Sequence, residues 1–175
     1  SGGGGNDVYV VESEGDRIVE SAGGGNDTVE TRINYHLAPT LESLELYGLN
    51  ATVGIGNNGD NHIRGTQYNY SYNPQVDYVL RGQGGNDSIV SRNGDDRLYG
   101  DAGNDTSVSV FRNVSVAGSS FSQVQRTRSA NGGAGNDVLA SVNQRVKTAA
   151  PIVTTMDGEA GNDLIGAALI NIHMK

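Results

Sequence analysis

Apolar residues in this chain come in short alternating bursts, and each burst follows a polar, glycine-rich turn. Val29, Ile89, Leu139 and Ile165 each lie two residues after an aspartate, and Ile18, Leu80 and Leu98 hold the same place in weaker units. Alternation over three to five residues predicts strands with one buried face. Leu44 and Leu46, then Val53 and Ile55, extend that pattern, and Ser107 to Val116 alternates Val and Phe with polar residues. Residues 66–77, rich in Tyr and containing Pro74, predict a loop. A helical pattern is visible, weakly, only over Val138 to Lys147.

The turns repeat. Gly-Asn-Asp occurs six times, ending at Asp7, Asp27, Asp87, Asp105, Asp137 and Asp163, and Asp87, Asp96 and Asp105 are spaced by nine. The fullest unit runs Gly132-Gly133-Ala134-Gly135-Asn136-Asp137-Val138-Leu139-Ala140. A fixed short period is the mark of a solenoid. Two units make one coil, strand out and strand back, so Asp87 and Asp105 stack on one edge and Asp96 falls on the other. The expected fold is all-β: a parallel β-roll, or β-solenoid, with irregular expanded coils and loops. It divides into a first repeat block at 1–30, spacer coils and a loop at 31–77, and a second block with expansions at 78–175. All three parts are read as a single domain or fragment. In the first block a degenerate unit ends at Asp16, and Asn61 closes the spacer like a repeat whose carboxylate has become an amide.

Composition narrows the function. Gly supplies 26 of 175 residues and hydrophobic residues only 35%, which leaves little for a thick core. Acidic residues outnumber basic ones 20 to 12, for a net charge of −8. Phosphate backbones need clustered Lys and Arg, so nucleic acid is a poor partner. Bound cations or plain solubility suit such acidity better. With no cysteine there is neither a disulfide frame nor a thiolate metal site. The longest apolar run, Leu164 to Ile172, is too short for a membrane span. No signal peptide is visible, and a start at Ser1 inside a repeat reads as a fragment or processed piece.

The turns carry the candidate chemistry. Glycine adopts positive φ without steric penalty, so a glycine-rich turn can aim several carbonyl oxygens at one point while aspartate adds charge. The candidate metal-ligating turns are Gly3, Gly5 and Asp7; Gly23, Gly25 and Asp27; Gly82, Gly84 and Asp87; Gly94 and Asp96; Gly100, Gly103 and Asp105; Gly132, Gly133, Gly135 and Asp137; and Gly158, Gly161 and Asp163. Parallel strands stack about 4.8 Å apart. Carboxylates at that spacing repel by roughly 0.8 kcal/mol in water and about 3 kcal/mol at an effective dielectric of 20. A divalent cation between turns reverses the sign. Ligation by oxygen alone, with many carbonyls, is the preference of Ca²⁺ over the smaller, more tightly hydrated Mg²⁺.

These units resemble the RTX (repeat-in-toxin) family of glycine- and aspartate-rich nonapeptide repeats. The resemblance covers the units ending at Asp7, Asp27, Asp87, Asp96, Asp105, Asp137 and Asp163, and residues 31–65 are similar to the intervening segments of such proteins. It implies a parallel β-roll, calcium lodged between turns, and type I secretion of an unfolded bacterial chain that folds outside the cell. There are departures. Tyr78 stands nine before Asp87, where a carboxylate belongs; Ser107 takes the inward apolar place, with Val108 as a substitute if the register shifts; and Gln83, Asp101 and Glu159 replace the second glycine. A one-sided column is expected along Asp87, Asp105, Asp137 and Asp163, with the long intervals bulging from the opposite edge. Asp7 and Asp27 would form a separate site.

Other motifs are weaker. Gly54-Ile55-Gly56-Asn57-Asn58-Gly59 matches a dinucleotide fingerprint literally but lacks the following helix. Leu41 to Asn50 imitates one leucine-rich repeat and reads better as a coil of this solenoid. His36, His62 and His173 lack zinc spacing. Tyr68, Tyr70, Tyr72 and Tyr78 read as loop packing before a sugar platform, and Glu12, Glu14, Glu20, Glu42 and Glu45 as solvated. No catalytic constellation stands out. The expectation is a calcium-binding module of a secreted bacterial protein, stabilised and folded by Ca²⁺. The alternatives are an adhesin or surface-layer module using 66–77 and 109–131 to bind glycan or neighbouring subunits, and a non-catalytic module of a secreted enzyme.

Overall fold

The computed structural model describes residues 1–48, 52–66, 76–92, 94–112, 126–145 and 152–171. Their regular elements are strands: β1 (Val8–Val11), β2 (Thr28–Thr31), β3 (Tyr35–His36), β4 (Ser43–Tyr47), β5 (Val53–Ile55), β6 (His62–Thr66), β7 (Val79–Gly84), β8 (Ser88–Arg92), β9 (Arg97–Ala102), β10 (Thr106–Arg112), β11 (Arg126–Ala134), β12 (Val138–Arg145), β13 (Ile152–Asp157) and β14 (Leu164–Asn171). An eight-stranded sheet runs β1-β2-β4-β6-β8-β10-β12-β14, and a six-stranded sheet runs β13-β11-β9-β7-β5-β3. Every pairing is parallel. The chain therefore winds as a parallel β-roll, and from β2 onward each coil adds one strand to each sheet. Among the described residues no helix is long and apolar enough to cross a membrane.

The inward residues stack in register. In the larger sheet Tyr9, Val29, Leu44, Ile63, Ile89, Ser107, Leu139 and Ile165 lie side by side. In the smaller sheet Gly54, Leu80, Leu98, Ala130 and Met156 do so. Val29, Leu44, Ile63, Leu80, Ile89 and Leu139 are completely buried. Each such burial contributes about 1.5–3 kcal/mol. Neighbours compensate where a coil is crowded. A methyl group at Gly54 would come within 2.6 Å of Leu46, and one at Gly65 would come within 2.8 Å of the Tyr78 ring. Tyr78, placed where a carboxylate was expected, is fully buried, and its hydroxyl donates to the Thr66 carbonyl at 3.3 Å.

Several expectations change. Val138 to Arg145 is strand β12, not helix, because parallel ladders to β10 and β14 hold it along its length. Ser107 keeps its inward place, level with Ile89 and Leu139, so no register shift brings Val108 inward. In β5 the residue facing the core is Gly54, and Val53 and Ile55 are half-exposed. Ile165, on the last coil of the described residues, is 46% exposed. Of the Ser107–Val116 strand, residues 113–116 lie outside the described residues, as do 67–75 of the loop and most of 109–131. The segment after Asp16 is not a strand, although Ile18 still packs against the core.

Candidate metal centre

One edge of the roll carries a continuous column of turns. A backbone ladder runs through it: Thr28 N–H donates to the Asp7 carbonyl, Ser43 to Asp27, His62 to Glu42, Ser88 to Asn61, Thr106 to Asp87, Val138 to Asp105 and Leu164 to Asp137. Glu42 and Asn61 thus occupy the aspartate position in the two spacer coils. Asp96 is on the other edge.

Turn geometry explains the glycines. A methyl group at Gly82, Gly100, Gly132 or Gly158 would overlap Oδ2 of the aspartate five residues later. That position must be bare for the carboxylate to fold back under its own turn. Two residues before the aspartate, Gly103 (φ 140°) and Gly135 (φ 155°) lie in the left-handed region, and any side chain there would strike the glycine carbonyl of the preceding coil. Gly5, Gly25 and Gly161 hold equivalent places, with Gly3, Gly23 and Gly133 also at positive φ in their turns. In the Asp87 turn the stacked residue is Gly85, whereas a methyl group at Gly84 would meet nothing closer than 3.7 Å. Gln83, Asp101 and Glu159 adopt φ of 81°, 72° and 58°, taking the second glycine's backbone shape despite their side chains.

The side chains form two ladders of opposite sense. Each aspartate Oδ1 accepts the backbone N–H of the aspartate position one coil earlier: Asp27 from Asp7 at 2.9 Å, Asp87 from Asn61 at 2.8 Å, Asp105 from Asp87 at 2.7 Å, Asp137 from Asp105 at 2.8 Å and Asp163 from Asp137 at 3.0 Å. Glu42 Oε2 does the same for Asp27 N–H at 2.8 Å. The neighbouring asparagines point the other way, with Asn104 N–H donating to Asn86, Asn136 to Asn104 and Asn162 to Asn136.

The remaining oxygens have no such use. Oδ2 of Asp7, Asp27, Asp87, Asp105 and Asp137 is buried without a hydrogen-bond partner. A buried charged oxygen lacking a donor is costly, and buried carboxylates are ordinarily paired or bound to metal. Burial pushes Asp87 up to about 7, against the opposing Asn61 N–H and with help from the neighbouring Asp105. Asp105 is raised for the same reasons, burial first. An oxygen-only row of carboxylates beside stacked carbonyls fits a hard divalent cation, and calcium best.

The spacer breaks this row. Asn61 puts an amide in the carboxylate place, its Oδ1 accepting Asn57 N–H at 2.6 Å. Asn57 Nδ2 donates to the Ala38 and Leu41 carbonyls at 2.8 and 2.7 Å. Amide donors here satisfy the carbonyls that elsewhere face the carboxylates. On the opposite edge, Asp96 is fully buried and its Oδ1 accepts Tyr78 N–H at 3.0 Å. Gly94 packs beside it, but the residue stacked on it in the coil before is Tyr78 rather than an aspartate. Among the described residues that edge carries no run of stacked aspartates.

Two residues set aside as solvated lie against the first block's turns. One is Glu42, and its signal was present: it precedes the inward Leu44 by two, the offset that every repeat aspartate keeps. The other is Glu20, whose carboxylate lies with those of Asp7 and Asp27, each offering an oxygen within 4.8 Å of the others.

The sequence model of the RTX calcium-binding nonapeptide repeat family, four copies long, matches residues 79–106 and 129–141. The chain is also similar to the endo-1,3-1,4-beta-glycanase ExsH of Rhizobium meliloti (strain 1021), at 39% identity over 64 residues. That match covers 37% of this chain and 14% of the glycanase. No solved structure matches. With the coils, the glycine turns and the aspartate edge arranged as described, residues 79–106 and 129–141 are RTX repeats, and calcium is the ion such repeats bind.

Proposed function

We propose that this chain is a calcium-folded module of a secreted bacterial protein, holding its ions along one edge in two separate columns. Asp87, Asp105, Asp137 and Asp163 would hold one, with the carbonyls of their glycine turns. Asp7, Asp27 and Glu42 would hold the other, and the Asn57–Asn61 amides divide the two. The observation that carries this reading is the row of buried Oδ2 atoms with no donor. Bound calcium supplies the positive charge that these oxygens lack. The chain's own residues do the rest. Each Oδ1 anchors the coil before it, the bare glycines admit the carboxylates, and the Asn ladder fixes turn spacing from outside.

Weak sites suit an extracellular module, whose Kd is typically on the order of 10⁻⁴–10⁻³ M. At cytosolic calcium such a column would stay empty and self-repelling, and a thin core would not offset chain entropy. RTX repeats are typical of secreted bacterial proteins, which supports folding after export. Equilibrium dialysis against calcium tests the column. Asp105→Ala, between two neighbours, should weaken two sites, and Asp163→Ala, at the end of the described coils, should weaken one. Equal losses would count against stacked, shared sites. The likeness to a glycanase favours a second, compatible reading, in which this roll is the non-catalytic part of a secreted enzyme. Calcium removal would then lower that enzyme's stability without altering its chemistry.

A further inference from the structure

The first coil is closed by residues that the repeat does not contain. Tyr9 stands in the inward column beside Val29, where the other coils place aliphatic side chains and, once, Ser107. Among the described residues β1 is an outer strand of its sheet, and Tyr9 is half-buried there with its hydroxyl at the rim. That hydroxyl accepts Gly2 N–H at 2.8 Å and donates to Glu20 Oε2. The other Glu20 oxygen accepts Ser21 N–H at 2.9 Å. Glu20 sits in the interval from Asp16 to Asp27, where the repeat is longer than nine residues. The added length brings its carboxylate between the first two glycine turns. A methyl group at Gly24 would come within 2.6 Å of Glu20 Oε1 and 3.0 Å of the Gly3 carbonyl oxygen.

Three carboxylates therefore converge from Asp7, Glu20 and Asp27. Among the described residues no Lys or Arg forms an ion pair with any of them. Independently of that cluster, Asp27 is completely buried, and its Oδ2, like that of Asp7, has no donor. The backbone N–H groups of Gly2 and Gly3 also face the Glu20 carboxylate, so donors hold it in place and a cation there would share its oxygens with them. We propose that Glu20 is a third carboxylate ligand between the first two turns, making this the most highly charged and tightest calcium site of the described roll, with Tyr9 as its positioning residue. Ligand charge is a principal control of calcium affinity at oxygen sites. The first block then fills at lower calcium than the second, and β1 and β2 are ordered first.

This rests on the calcium reading above, and the two can fail separately. Calcium titration of the full chain against a competing chelator should resolve one site tighter than the others. Glu20→Gln should weaken that site by about tenfold or more and leave the rest unmoved. Tyr9→Phe should weaken it less, and should also reduce Tb³⁺ emission excited through tyrosine. Asp137→Asn, in the other column, should spare the tight site. Calcium uptake by Glu20→Gln that superimposes on the unaltered chain would overturn the Glu20 assignment alone. So would a parallel weakening of every site, which would mean that the coil had merely lost its shape. Absence of calcium uptake by the unaltered chain would overturn both readings.

Discussion

At the scale of single residues, the roll contains groups whose cost reveals what the fold demands. Ser107 is completely buried in the inward column between Ile89 and Leu139, and its hydroxyl has no partner. Ser107→Ala removes that desolvation penalty with little change in volume and should stabilise the calcium-loaded protein by about 1 kcal/mol. A lowered melting temperature would contradict it. Asp87 gives a pH dependence of definite sign. Its folded value of about 7 lies above the ordinary 3.8. A raised carboxyl stabilises the fold fully below its unfolded pKa and loses that contribution as pH rises through the folded one. Without calcium, the melting temperature should therefore fall between about pH 4 and 8, with Asp105 acting in the same direction. With calcium bound, protons compete with the metal, so acidification should destabilise instead. Thermal melts across pH in chelator and in calcium check both slopes, and parallel slopes would refute the assignment. Inward apolar residues and repeat aspartates were legible in the sequence because both follow one offset. Glu42 obeys that offset too, but its turn, Leu37 to Leu41, lacks glycine and so hides it. Glu20 obeys no repeat rule; only three-dimensional closure of the first coil brings it to Asp7.

At the scale of elements, alternation after each turn identified the strands, since a side-chain period of two is local information. Partner ladders are not local. The Val138 segment satisfies a helical pattern by itself, yet β10 and β14 flank it and the ladder prevails. Equally, Val53 and Ile55 looked like a buried face until Leu44, Leu46 and Leu80 were seen to crowd against Gly54. The spacer coils show a different solution to turn stacking. There Asn57 donates to two carbonyls and Asn61 accepts the Asn57 N–H, so hydrogen bonds close the turn from within. Asn57→Ala should cost about 2–3 kcal/mol by leaving buried acceptors unpaired. That loss should not diminish at saturating calcium, unlike losses in the aspartate columns. Melting temperatures of this variant over a calcium series measure the difference, and full rescue by calcium would show metal in the spacer.

At the scale of the whole molecule, the acidic balance and the thin core have one explanation. A chain of net charge −8 with only 35% hydrophobic residues places all its buried aspartates except Asp96 in file along one edge. The solenoid was legible because its period is printed in the glycines and aspartates. The proposed division into two columns was legible too, because Asp60 and Asn61 exchange the usual order and set an amide where the repeat has a carboxylate. On the proposed function, folding and ion binding are one transition. The most direct test is far-UV circular dichroism and thermal melting of the chain in excess chelator, followed by calcium added to millimolar concentration. At about pH 8, where the raised carboxyls are charged, the account predicts a weak strand signal without a cooperative melt in chelator, and both restored by calcium. An unchanged spectrum and melting temperature in the two conditions would contradict it.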